Sequence, residues 1–374
     1  MKKLIFILLF IFLLSVRCFA VSTESPIDEL AKQFGLELLQ RDLPPQAQQY
    51  TEELSLDELS TGKLLSLSPQ ALFKLVTEQL ADMLNRYKRE LFSILAAVLL
   101  LAILGTLGEK TQATAVFGLI GALSITAIMC EPVLFCVENG AASIRDSARF
   151  MLTYIPIYAT VVATGGAPAT AAVYHTVLMM AIQIVSQLAA GVFLPLTQSY
   201  LLLSLAGGIG QNKGVVMLSG SIKKLLNWGL VLVMTAFTGL LSLQSFLSAA
   251  TDGAAVKTTK FLVGSFIPVV GSVLTDALSA MQGSLQIIKA SVGSFGIVVA
   301  VLTFLPVLLQ ITVLRAVVAV ASIIGEMLSV EQVKGVLSGF SNLLSIMTAI
   351  VLSMMMLIIM STAIMLSLSG GTMV

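Results

Sequence analysis

Residues 150–212 run for sixty-three positions without one Asp, Glu, Lys or Arg. As a single helix that run would be about 95 Å long, against roughly 30 Å for the hydrocarbon core of a bilayer. It must fold back, and three places invite a break: Gly165-Gly166-Ala167-Pro168, Pro195, and Gly207-Gly208-Ile209-Gly210. Other charge-free runs cover 225–251 and 290–314, and nothing charged follows Lys334, where 343–366 is long enough to span. Residues 91–107 and 113–129 precede them, closed by Arg89, Glu109-Lys110 and Glu131-Pro132. The shorter pieces 150–164 and 261–275 suit tilted or re-entrant segments. The expected total is seven or eight membrane-embedded helices. No ten-residue alternation suggests a barrel.

Charge is scarce and unevenly placed. Charged residues make up 11% of the chain and hydrophobic ones 57%, whereas soluble domains carry roughly a quarter charged. Residues 21–90 hold twelve acidic and seven basic side chains; residues 91–374 hold only eight and eleven. A polar segment therefore precedes a membrane domain. Met1-Lys2-Lys3, the apolar stretch 4–16 and Arg17-Cys18-Phe19-Ala20 read as a secretory signal over 1–20, cleaved after Ala20, with a retained short anchor as the alternative. Arg17 argues against a lipid on Cys18. Cys130 and Cys136, six apart, point to different sides of a helix and suggest neither a disulfide nor a zinc site. A net charge of +1 without a basic, aromatic surface predicts no nucleic-acid partner.

The segment 21–90 is expected outside the membrane as a small helical extracytoplasmic unit. Ile27, Leu30, Ala31 and Phe34 suggest one short helix, broken by Leu43-Pro44-Pro45. Ser68-Pro69 then supplies an N-cap and a proline at the first helical position. Leu72, Leu75, Val76, Leu80, Met83, Leu84, Tyr87 and Leu91 follow at spacings of three and four, a continuous apolar stripe leading into the first span. Leu72, Leu75, Val76, Leu80, Met83 and Tyr87 are the candidate docking face for a partner; self-packing of short helices is the other reading. Arg86, Lys88 and Arg89 pull against export, since basic clusters beside a span favour the cytoplasm.

Four landmarks recur in one order. Asn139-Gly140-Ala141-Ala142 answers to Asp252-Gly253-Ala254-Ala255, Tyr154-Ile155-Pro156-Ile157 to Phe266-Ile267-Pro268-Val269, Phe193-Leu194-Pro195 to Phe304-Leu305-Pro306, and the phrase at Lys213 to the one at Lys334. The fold expected is all-α: a polytopic helical membrane protein with a tandem internal repeat. Its parts are two spans over 91–138, repeat 1 over 139–248 and repeat 2 over 249–374. Whether the halves are parallel or inverted stays open, because the charges point both ways. Repeated bundles often place a pathway at their junction, and broken backbone survives in a membrane only inside protein or beside a wet cavity. Candidate interior or pathway positions are therefore Pro156, Gly165, Gly166, Pro168, Pro195, Pro268 and Pro306, with kinks that merely improve packing as the plainer reading.

Ionisable groups in the runs are few. His175 reads as a proton relay or, without an acid in its run, as a neutral histidine bonded to a neighbouring helix. Arg315 either faces a polar interior or lies near an interface. Asp276 and Lys289 are expected on an amphipathic surface segment. Gly208 to Gly214 is superficially similar to a phosphate loop but lacks the Gly-Lys-Ser/Thr ending. No hydrolase elbow, His-Glu metal pair or paired acids appear, so the expectation is no enzyme, no cofactor and no metal.

The whole layout resembles the stage III sporulation protein AE family. Tyr154-Ile155-Pro156, Gly165-Gly166, Phe193-Leu194-Pro195 and Lys334-Gly335-Val336-Leu337-Ser338-Gly339 carry the resemblance, with the signal and the exported helix before them. It implies a component of the secretion-like complex linking mother cell and forespore, seated in the mother-cell-derived outer forespore membrane. The implied partners are the other membrane proteins of the same operon, a motor-type ATPase and the forespore-side protein Q, besides the lipid bilayer. A self-contained secondary transporter and a scaffold without a pore are the rival classes.

Overall fold

The computed structural model describes residues 34–53, 69–107, 112–210, 212–266, 271–327 and 331–368. Among them all regular structure is helical: α1 (Leu36–Arg41), α2 (Pro45–Glu53), α3 (Pro69–Leu107), α4 (Gln112–Thr164), α5 (Pro168–Leu188), a π turn (Ala189–Phe193), α6 (Leu194–Gly210), α7 (Lys213–Phe266), α8 (Gly271–Met327) and α9 (Glu331–Leu368). The signal segment and Pro268 lie outside the described residues, as do the side chains of Leu72 and Asp276.

Local chemistry sets the two clearest chain reversals. After α4, Gly166 adopts φ 97°, a left-handed conformation that disfavours any side chain. The Ala167 N–H then donates to Val162 O and the Gly166 N–H to Ala163 O, the paired bonds that close a helix end. Pro168, which has no N–H to leave orphaned, starts α5. Between α6 and α7, Asn212 Oδ1 accepts from the Gly214 and Val215 N–H groups at 3.0 and 3.4 Å and caps the new helix.

The expected break at Pro195 is absent. α5, the π turn and α6 form one continuous rod over Pro168–Gly210. Proline at 195 cannot donate and its ring crowds the carbonyl four residues back; the widened turn just before it makes that room. Thr197, fully buried, donates to Phe193 O at 2.6 Å across the same place. Helices likewise run through Pro132 and Pro156 in α4 and Pro306 in α8. The segments expected separately at 113–129 and 150–164 are thus two ends of one helix. Five stretches among the described residues are long and apolar enough to cross a membrane, fewer and longer than the seven or eight expected.

α8 and α9 pack as a central antiparallel hairpin, closed where Gly325 faces Val333. Of the five stretches, the one in α8 is 72% buried and the one in α7 only 22%, which puts α8 at the centre and α7 on the outside. α4 runs parallel to α9: Gly140 abuts Met347, and Tyr158 shares the Gly293 contact with Leu366. α6 runs antiparallel to α9, with Gly208 against Gly335 and Ser204 against Gly339. α7 lies parallel to α9, and Lys223 Nζ donates to Asn342 Oδ1 at 2.8 Å. α1 and α2 lie against α4 and α8, where Asp42 accepts from Thr153 Oγ1 at 2.6 Å and Gln46 Nε2 donates to Asp146 at 3.3 Å.

Candidate functional site: a buried polar seam

On α4, Asn139, Ser143, Ser147, Phe150, Tyr154 and Tyr158 are spaced by four, four, three, four and four residues, so they share one face. On α8, Lys289, Gly296, Thr303 and Gln310 recur every seven and share another. These faces meet. At one end Gln310, 4% exposed, donates from Nε2 to the Tyr87 hydroxyl at 2.7 Å and accepts at Oε1 from Asn139 Nδ2 at 2.9 Å. One carboxamide thereby ties α3, α8 and α4 together, and satisfies both its donor and its acceptor in doing so.

Further along, Tyr154 Oη donates to Val292 O at 3.2 Å. Its ring occupies the space a Cβ at Gly296 would need, and a Cβ at Gly293 would sit 2.7 Å from Tyr158 Oη. Two glycines three apart on α8 are therefore the seats of two tyrosines four apart on α4. Aromatic contacts continue the seam: Phe150 to Tyr154 at 5.6 Å, Tyr154 to Tyr158 at 5.3 Å, and Tyr158 edge-on to Tyr174 of α5 at 6.0 Å. Ser143, Ser147 and Tyr158 hydroxyls are buried there without a hydrogen bond, and the Tyr174 hydroxyl faces Ser361 and Thr362 of α9. Ser361 and Thr362 of α9 both donate to Ile358 O, a return to their own helix that hydroxyls commonly make in membranes.

The residues singled out from sequence are scattered along these helices. Pro156 and Pro306 are half-buried; Pro306 is one turn from Gln310, whereas Pro156, two residues from Tyr158, lies on the other side of its helix. Gly165 and Gly166 form the half-buried reversal, and Pro168 and Pro195 are exposed. His175 is half-buried beside Tyr174, and Arg315 is exposed. Lys289 is a correction: it is 4% exposed and not on a surface segment, because α8 is the central helix and position 289 falls on the face that carries Gly296 and Gln310. Leu75 and Tyr87 of the apolar stripe are buried against this chain's own helices, and Leu80 and Met83 are partly buried against the same core. Exposed on α3 instead are Phe73, Leu84 and Phe92.

Sequence reasoning missed Gln310, Ser143, Ser147, Gly293 and Gly296. The fourfold spacing from Asn139 would have found the serines; nothing local marks Gln310, whose partners are 171 and 223 positions away. Among the described residues no three His, Cys, Asp or Glu side chains gather as metal ligands. The seam offers hydroxyls, carboxamides and the buried Lys289, groups that hold helices together or meet polar solutes.

A family model described as stage III sporulation protein AE matches residues 51–369, from α2 to the end of α9. The chain belongs to that family. "Stage III sporulation protein AE" of Bacillus subtilis (strain 168) is 27% identical over 165 residues, which cover 44% of this chain and 41% of that protein. The alignment thus spans less than half of the curated relative. No solved structure matches. The stage III sporulation AE family is accordingly represented here by an all-helical chain whose long apolar helices suit a multi-pass membrane protein, a member of a sporulation family with no catalytic constellation among its described residues.

Proposed function

We propose that this chain is a multi-pass membrane component of a sporulation secretion or channel complex connecting mother cell and forespore, where it acts as conduit or assembly platform. The family match across 51–369 carries the reading. In this role residues 1–20 are a cleaved signal, residues 21–90 stand in the space between the two membranes, and the rest sits in the outer forespore membrane. Its partners are the membrane proteins of the same operon, a motor-type ATPase and the forespore-side protein Q. The half-buried Pro156, His175 and Pro306 remain the interior positions this reading offers for a pathway.

The tandem repeat is part of the proposal, and three contacts support it. A methyl group at Gly207 would sit 2.9 Å from Val216 and 3.5 Å from Val215, and one at Gly325 would sit 3.4 Å from Val333, so a glycine packs against a valine at both closures. When Leu218-Ser219-Gly220 is aligned with Leu337-Ser338-Gly339, Lys223 falls on Asn342, so a residue hydrogen-bonds its own counterpart. Self-contact of this kind is what a pseudo-twofold axis between two repeats would produce. Since α7 and α9 run the same way, the halves are parallel about an axis along the helices, the arrangement of side-by-side repeats and not of inverted ones.

Affinity purification of the tagged full chain from sporulating cells tests the role. Co-purification of the operon's membrane proteins and ATPase is the expected result. Solute uptake by the purified chain alone in liposomes, with no partner retained in cells, would instead make it a self-contained transporter.

A further inference from the structure

The contacts fix a common level across the bundle. α4 from Gly140 to Tyr158 lies beside α9 from Met347 to Leu366. Within that stretch, Ile350, Met354 and Leu357 of α9 share a cavity with Val185 of α5, Phe193 of the π turn and Leu230 and Met234 of α7. One slice through the molecule therefore holds α4 near 143–150, α9 near 350–357, α5 and its π turn near 185–193 and α7 near 230–234.

The two sides of this slice differ. On one side Ile184, Val192, Trp228, Val231 and Leu232 are exposed, Val231 by 65%. On the other, the exposed groups are Arg145 and Arg149 of α4, the Arg149 side chain by 79%, with the Asp146 carboxylate 3.9 Å from Arg149. α1 and α2 cover the same side and bring Arg41 and Asp42, while α3, antiparallel to α4, adds Lys74, Glu78, Asp82 and Arg86 along with the exposed Phe73 and Leu84. The bundle as a whole is amphipathic across its width.

Once the apolar side is in lipid, the charged side stands at hydrocarbon depth. Charges facing lipid are costly, so that side must meet water or other protein. The cavity described at this level is no such place, since it is lined by apolar side chains and one serine, and the α4–α8 contact is closed by glycines without room for a methyl group.

We infer that the charged lateral face formed by α1, α2, α3 and the middle of α4 lines an aqueous space enclosed by further copies of this chain, whose α5 and α7 sides face lipid. The face carries both signs, Arg41, Arg145 and Arg149 with Asp42 and Asp146, so copies can turn it toward a shared centre without one-sign repulsion. Copies that repeat one side-to-side contact around that centre form a closed ring when the rotation between neighbours closes. This goes beyond the proposed role, shares with it the premise that the bundle is embedded, and revises it at one point: α1, α2 and the first half of α3 stand beside the bundle, in an aqueous space open to the intermembrane side, and not wholly beyond the membrane.

Spin labels on the full chain in liposomes test it, with Cys18→Ser, Cys130→Ser and Cys136→Ala as background. I184C and V231C should be reached by oxygen dissolved in lipid. R145C and R149C, at the same level, should favour a water-soluble nickel chelate over oxygen by about tenfold relative to V231C, as exclusion of polar solutes from hydrocarbon requires. R149C labels should also show dipolar coupling between copies. Oxygen-dominated R149C beside a lipid-buried V231C would overturn the inference while leaving the proposed role intact. Shallow depths at all four sites, the pattern of a bundle lying flat on the surface, would remove the embedding that both share. Absence of coupling between copies at every protein density would overturn the enclosed space.

Discussion

Gly296 shows how little slack the seam has. A methyl group there would meet the Tyr154 ring, whereas one at Gly220 would meet nothing within 4 Å. Gly296→Ala should lower the melting temperature of the detergent-solubilised chain, because overpacking costs about 1–3 kcal/mol and outweighs the roughly 1 kcal/mol that alanine gains in a helix. Gly220→Ala should leave it unchanged or raise it; equal effects from both would refute the seating of Tyr154. Gln310→Leu should cost more, since it strands the Tyr87 hydroxyl and the Asn139 amide, at about 1–3 kcal/mol for each buried group left unpaired. Combining it with Tyr87→Phe should show coupling of about 0.5–3 kcal/mol in denaturant unfolding, and strict additivity would break the proposed node. Asn139 was legible in the sequence as a landmark; what it bonds was not, because the choice of Gln310 is made by tertiary packing.

At the scale of elements, the reversals that rest on local chemistry were readable and the others were not. Gly165-Gly166-Ala167-Pro168 announces itself, since a left-handed glycine and a proline at the first helical position act within one turn. Gly166→Ala should destabilise by about 1–2 kcal/mol, the cost of a side chain in left-handed backbone. Asn212→Ala should cost about 1 kcal/mol through the lost cap. Protease nicking at these two connections would report both changes, and neither variant should alter cutting at the other site. Pro195 misled because a proline's local penalty was absorbed by the π turn before it. The apolar stripe of α3 was correctly placed on a helix, but periodicity says only that a face is buried and not what covers it.

The whole molecule has two ends. The α6–α7 and α8–α9 connections lie together, since Gly208 touches Gly335, and they carry Lys213 and Lys334. The α4–α5 reversal and the far end of α9 lie opposite and carry no charge among their described residues, while Lys289 of the adjoining α8 is buried there. Epitope insertions after Asn212 and after Ser329 should therefore report the cytoplasmic side, and insertions after Gly166 and beyond α9 the outer side, when probed with impermeant reagents. Insertions at 212 and 329 on opposite sides would rule out parallel halves. Composition made the membrane legible at once. The lateral asymmetry was hidden, because it compares residues that only folding brings to one height.

The glycine pair at the end that carries Lys213 and Lys334 has a mechanical consequence. Gly208 and Gly335 meet backbone to backbone, with no side chains to shear, so the contact can serve as a fulcrum between the α5–α6 rod and α9. From Gly335 to Thr362 is about 40 Å of helix. A tilt of about 5° at the pivot would carry the far end of that lever by roughly 3 to 4 Å, slightly more than the width of a water molecule.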